Sequence, residues 1–160
     1  MKGQWTFEIL ETSCKPYPLH WKEKLTGIQD LSAKDYLLLH TIYGHWLGGA
    51  VNDFIEEKSL TYRVQLIASH GHTAFHDPSS RMTAQLGDGA AIAAVTGIRT
   101  ITDFRSVDVA LGGQGAPIVP IGEKLLFPDY DFFLISAESQ TFLQKEQTRS
   151  VLMCVRQTGY

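Results

Sequence analysis

Apolar residues recur every three or four positions at Leu39, Ile42, Tyr43, Trp46, Leu47, Ala50, Val51, Phe54 and Ile55. That spacing lays one stripe along a long amphipathic helix. Ser32 marks its start: a hydroxyl there caps free backbone amides, and Asp35 sits favourably at the positive end of the helix dipole. Gly44, Gly48 and Gly49 lie inside it. Each costs about 1 kcal/mol against alanine, which close backbone packing would offset. Residues 4–10 (QWTFEIL) alternate apolar and polar and predict a strand. Pro16 and Pro18 interrupt regular structure, and residues 21–25 read as a short helical turn. Residues 63–69 (RVQLIAS) predict a buried strand. Residues 90–95 predict a helix closed by Gly97, and residues 98–104 (IRTITDF) a strand with Asp103 near its carboxyl end. Residues 111–120 are rich in glycine and proline, and residues 130–134 (YDFFL) predict a last strand. Alternating strands and helices indicate an α/β fold, in which polar residues just beyond strand carboxyl ends face a ligand crevice.

Composition narrows the function classes. At 160 residues, with 44% hydrophobic and 19% charged side chains, the chain can bury a core. A net charge of −3 without a basic stripe leaves no nucleic-acid footprint. No apolar run approaches the roughly 18 residues of a membrane span. The first residues lack the apolar stretch of a secretory signal. Cys14 and Cys154 make no disulfide framework, so reduced thiols and a cytoplasmic location are expected.

Four clusters could carry chemistry. In the first, Ser69, His70, Gly71 and His72 are followed by His76 and Asp77. The histidine spacing invites a metal reading, but neither Glu nor Cys completes a zinc pattern. Hydrogen-bonding loop histidines at a cleft are expected instead, and no metal. In the second, Gly87, Asp88 and Gly89 precede a helix, where backbone amides can approach an anion or a sugar hydroxyl. A tight turn capped by Asp88 is the plainer alternative. In the third, Asp103 can take a proton from a hydroxyl nucleophile, and Arg105 can grip a carboxylate or phosphate. A salt-bridged turn over Asp103-Phe104-Arg105-Ser106-Val107-Asp108 is the alternative. The fourth, Gly112-Gly113-Gln114-Gly115, suits backbone running against a ligand or another segment.

Together, "ASHGHTAFHDP", "QLGDGAAIAAVTGI", "TDFRSVDVALGGQGAP" and "IVPIGEKLLF" resemble the bacterial anhydro-N-acetylmuramic acid kinase family. The resemblance runs from about Trp5 to Leu134 and is densest between Ser69 and Pro120. It implies the sugar kinase, heat-shock and actin superfamily, with two RNase H-like (actin/hexokinase-type) lobes around a cleft. It implies use of ATP and Mg²⁺ to open the 1,6-anhydro bond of anhydro-N-acetylmuramic acid with water and phosphorylate O6. The product, N-acetylmuramic acid 6-phosphate, belongs to cell-wall recycling. On this resemblance Asp103 matches the strand-end aspartate that serves related sugar kinases as base, with Asp108 the alternative. Ser69, His70, Gly71, His72, Asp88, Arg105 and Gln114 would meet the sugar. His72 departs from the family's "SHGQT" block, where glutamine is usual.

The resemblance also sets expectations about extent. The family opens with a "GTSxDGxD" strand-turn for ATP phosphates, and its second lobe follows the segment ending at Leu134; neither is matched here. Residues 1–134 therefore read as part of an N-terminal kinase lobe, a mixed sheet with flanking helices lacking its first strands. From Ile135 the chain reads "ISAESQTFLQ" where the family reads near "NLGGIANIS". One base restored after the Leu134 codon of a permitted back-translation yields L-N-L-G-G-I-A-N-I-S. Residues 135–160 are thus expected to be an out-of-frame tail, helix-tolerant near Phe142, with no structural role for Cys154. The chain alone is expected to bind neither ATP nor Mg²⁺ and to be inactive. A non-catalytic sugar-binding lobe, or half of a split enzyme, is the other reading. A bare sheet edge would favour a homodimer or a companion chain supplying the second lobe.

Overall fold

The computed structural model describes residues 7–116, 119–126 and 149–157. Its elements run β1 (Phe7–Pro16), α1 (Leu19–Thr26), α2 (Ala33–Glu57), β2 (Leu66–Ala68), β3 (His72–Asp77), β4 (Met82–Leu86), α3 (Gly89–Thr96), β5 (Arg99–Ile101), α4 (Ser106–Ala110), α5 (Val119–Leu126) and β6 (Arg149–Gln157). The class is mixed α/β, as expected. The described strands do not form one mixed sheet. They make three pairs: β1–β6 and β3–β4 antiparallel, β2–β5 parallel. Contacts divide the chain into two compact units, residues 1–22 with 116–160, and residues 23–115.

In the first unit, β1 pairs with β6 from Phe7 opposite Gln157 to Pro16 opposite Arg149, with an irregularity between Ile9 and Glu11. Pro16 ends the strand rather than preventing one, as proline can at a strand terminus. β6 lies in the segment expected to be an unselected tail. Its Val151–Val155 run is apolar and partly β-branched, a composition that favours pairing whatever its ancestry. Cys154 accordingly takes a ladder position opposite Glu11. The predicted strand at residues 130–134 and the helix-tolerant stretch near Phe142 lie outside the described residues.

The second unit is built on α2. Ser32 Oγ accepts from the Asp35 amide at 3.1 Å, which satisfies one free donor of the first turn. The predicted stripe is buried at Leu39, Tyr43, Leu47 and Phe54, whereas Ile42 stays 40% exposed. Against the stripe lie α3 and the end of β4, where Ile92 and Leu86 are each 0% exposed.

The glycines of α2 explain how close α3 can come. A Cβ on Gly44 would lie 2.6 Å from the Asp88 carbonyl oxygen, and one on Gly48 would lie 2.8 Å from Val95 Cβ. Gly49 faces open space, so close packing accounts for two of the three. Gly44→Ala should therefore destabilise the unit. The gain in helix propensity is about 1 kcal/mol, and overpacking against fixed backbone costs more, for a net loss of about 1–2 kcal/mol. Urea unfolding checks this; a variant as stable as the parent would contradict it.

Several elements were not legible. β3 and β4 form a hairpin through the Pro78–Ser80 turn, where a histidine-bearing loop was expected. Asp77 accepts from the Ser80 amide at 3.2 Å, and Arg81 takes the left-handed conformation at φ 54°, so the turn closes on local bonds. Hydrogen bonds from Ser79 and Ser80 hold the Asp77 carboxyl below its usual pKa. β2 and β5 are shorter than predicted, and α4 follows β5, a helix no pattern had marked. α5 begins at Val119, inside the stretch noted as rich in glycine and proline.

Candidate functional site

The site follows from one strand pair. β2 and β5 run parallel with Ala68 beside Ile101, and the Ser69 amide donates to the Ile101 carbonyl at 2.9 Å. Both strands therefore end on the same side. His70 follows one strand and Asp103 the other, and both line a cavity of about 500 Å³. That is the crevice position expected beyond carboxyl ends in an α/β fold.

The glycine-flanked turn forms a second wall. Gly87, Asp88 and Gly89 all line the cavity. Asp88 Oδ1 accepts from the Ala90 amide at 2.9 Å and caps α3, so the plainer reading of this loop holds alongside its place in the wall. Gly87 has φ 121°, a conformation L side chains rarely adopt. A Cβ on Gly89 would lie 2.8 Å from Thr102 Oγ1, so the start of α3 sits directly against the β5 end.

α2 supplies the third wall through Tyr36, Leu37 and His40. Tyr36 stacks on His40 with centroids 6.4 Å apart and meets the Phe75 ring at 5.6 Å. Burial, and then the nearby Asp103 charge, push the Tyr36 hydroxyl above its ordinary value of 10.0, which keeps it a neutral donor. Sequence reasoning missed these three residues. Tyr36 and His40 are four apart and so share one helix face, but they lie off the apolar stripe that drew attention.

The two candidate carboxylates differ in setting. Asp103 is exposed at the cavity wall with φ 59°, and the Ser106 hydroxyl donates to its Oδ1. Aspartate tolerates this left-handed conformation better than most residues. Asp108 is not in the wall. Its Oδ2 accepts from the Gly115 amide at 2.6 Å, and Gly113 packs against the carboxylate with no room for a side chain. The glycine loop thus closes over Asp108, the "another segment" alternative for that loop.

The other expected sugar residues are dispersed. Ser69 closes the β2–β5 pair, and Gly71 packs against the Leu86 carbonyl. Gln114 is exposed and outside the cavity wall. Arg105 is also outside it, with Nε buried and lacking a hydrogen-bond partner among the described residues. His76 contacts Thr83 Oγ1 at 3.2 Å. Among the described residues, no group of three or more His, Cys, Asp or Glu could hold a metal, and no helix is long and apolar enough to cross a membrane.

His72 opens β3 and does not line the cavity. Burial, and then the neighbouring His70, push its pKa below the ordinary 6.5. Between that lowered value and 6.5 the unfolded chain binds more protons than the folded one, so stability falls as pH falls through this window. His72→Gln should flatten that slope. Urea midpoints measured between about pH 5 and pH 8 check it; an unchanged slope would contradict it.

A polar crevice thus lies at parallel strand ends, between a capped helix start and a helix face, the position that ligands take in open α/β sheets. Comparison with known proteins supplies the family. The anhydro-N-acetylmuramic acid kinase model matches residues 2–136. A Vibrio vulnificus anhydro-N-acetylmuramic acid kinase is 38% identical over 125 residues, 74% of this chain and 34% of the relative. The Coxiella burnetii kinase is 37% identical over 128 residues, 76% of this chain and 34% of the relative. A Methylobacterium nodulans kinase reaches 47% over 78 residues, 48% of this chain and 21% of the relative. The chain belongs to the anhydro-N-acetylmuramic acid kinase family. It spans about a third of the length of the first two of these relatives.

Proposed function

We propose that the cavity in residues 23–115 is the sugar side of an anhydro-N-acetylmuramic acid kinase, with Asp103 as the base. The supporting observation is that His70, Asp88 and Asp103 line one cavity although they come from separate segments. In the proposed step Asp103 takes a proton from water. The water oxygen bonds to the anomeric carbon as the 1,6-anhydro bond breaks, freeing O6, the oxygen the family's reaction phosphorylates. Asp103 is preferred to Asp108 because Asp103 lines the cavity and Asp108 does not.

ATP and Mg²⁺ are the family's second substrate and metal. Among the described residues, the cavity wall carries two carboxylates, Asp88 and Asp103, and no lysine or arginine. A triphosphate needs cationic groups and a held metal, so this wall does not fit it. The hydroxyl, amide and imidazole groups suit a polyhydroxylated sugar instead. We therefore expect the 160-residue chain to bind 1,6-anhydro-N-acetylmuramic acid in calorimetry and to show no ATP-dependent phosphorylation when free of host kinase. Absence of sugar binding sinks the sugar-site reading, and robust turnover sinks the second expectation.

We also propose an RNase H-like lobe for residues 1–134 and an out-of-frame origin for residues 135–160. The family match ending at residue 136 supports the second point. The gene sequence tests it: one base added near codon 135 must open a frame reading near "NLGGIANIS".

A further inference from the structure

We infer that His40 is a sugar-binding residue that presents an Nε2–H donor to the cavity, its tautomer fixed by the glycine turn. The inference rests on the sugar-site reading above and deepens it. A backbone amide can only donate, and the Gly87 amide meets His40 Nδ1 at 3.2 Å. Nδ1 must then offer its lone pair, and the proton of the neutral ring sits on Nε2. His40 lines the cavity, and Nε2 has no protein partner among the described residues.

The residue is held through its ring and through its backbone. Its own carbonyl accepts from the Asp88 amide at 3.2 Å, so backbone and side chain grip the same turn. Gly44, one helical turn further on, lets α2 approach that turn closely. Tyr36 stacks across the imidazole at an interplanar angle of 19°. A donor held this firmly needs little ordering when a ligand arrives. Asp88 and Asp103 supply acceptors in the same cavity, so His40 complements them by serving an acceptor oxygen of the sugar.

Two substitutions separate the two ring nitrogens. In His40→Asn the amide oxygen can replace Nδ1 toward Gly87, but the distal donor is gone. In His40→Gln the amide N–H can reach the Nε2 position, but the Nδ1 acceptor is lost. The probe is 1,6-anhydro-N-acetylmuramic acid, titrated calorimetrically into the full chain. His40→Asn should weaken binding about tenfold, the worth of one hydrogen bond, with its melting temperature close to the parent's. His40→Gln should keep binding within about threefold while melting lower. Parent-like binding by folded His40→Asn overturns the inference and leaves the sugar-site reading intact. No binding by the parent chain overturns both. If His40→Asn does not fold, His40→Gln decides: retained binding supports the inference, and tenfold loss in a folded sample overturns it. Nitrogen NMR of the unliganded chain is an independent check, since an Nδ1–H tautomer would also overturn it.

Discussion

Asparagine at Asp103 is expected to spare sugar binding by this chain, and at the aligned position of a catalytically competent relative to remove most of the turnover. The amide matches the carboxylate in shape, can still accept from Ser106 and tolerates φ 59° as aspartate does. It cannot take a proton from water. In this chain, Asp103→Asn should therefore leave sugar affinity within a few fold by calorimetry. The catalytic arm belongs in the Vibrio vulnificus relative, of whose length this chain covers 34%. Asparagine at its position aligned with Asp103 should lower turnover by about 10²–10⁴-fold, the usual contribution of a general base. Asparagine at the position aligned with Asp108 should cost turnover far less, because its amide oxygen still accepts, more weakly, the bond that the Gly115 amide gives Asp108 here. The reverse result, with turnover lost at the second position and kept at the first, would move the base assignment to Asp108.

Gly71→Ala is expected to be the most damaging single methyl in the second unit. Gly71 has φ 69°, where a Cβ costs about 1–2 kcal/mol. The added carbon would also run into the carbonyl of Leu86, whose side chain is 0% exposed. Backbone on a core strand cannot yield as a flexible side chain can. Strain and clash together should cost about 3 kcal/mol or more, a large share of the roughly 5–15 kcal/mol that holds a domain folded. Gly97→Ala is the control. It shares nearly the same φ, 68°, but a Cβ there meets nothing within 4 Å. Its cost should stay near 1 kcal/mol. Urea unfolding of both variants separates strain from clash, and equal losses would show that the Leu86 contact contributes nothing. Because Gly71 follows His70, the same substitution should also weaken sugar binding.

The parts of the molecule legible in the sequence share a physical feature. α2 was readable because helix periodicity and the Ser32 cap are properties of residues a few positions apart. α3 was readable from Asp88 at its start and Gly97, left-handed at φ 68°, at its end. The β3–β4 hairpin was missed although its turn is written locally in Asp77-Pro78-Ser79-Ser80. The histidines around it drew the chemical reading instead. The β6 strand was missed because its pairing with β1 joins opposite ends of the chain.

The candidate site divides the same way. By itself the sequence determined the family, the mixed α/β class, the capped helices and the short list of polar clusters. Only the tertiary structure decided which cluster members meet. The parallel register of Ala68 with Ile101 brings His70 and Asp103 into one wall. The fold of the glycine loop onto Asp108 takes that carboxylate out of it. The approach of α2 to the Gly87–Gly89 turn adds Tyr36 and His40, which no motif had marked. Local pattern is set by neighbouring side chains and backbone propensity. A site is set by distances between segments remote along the chain, and those exist only once the core has packed.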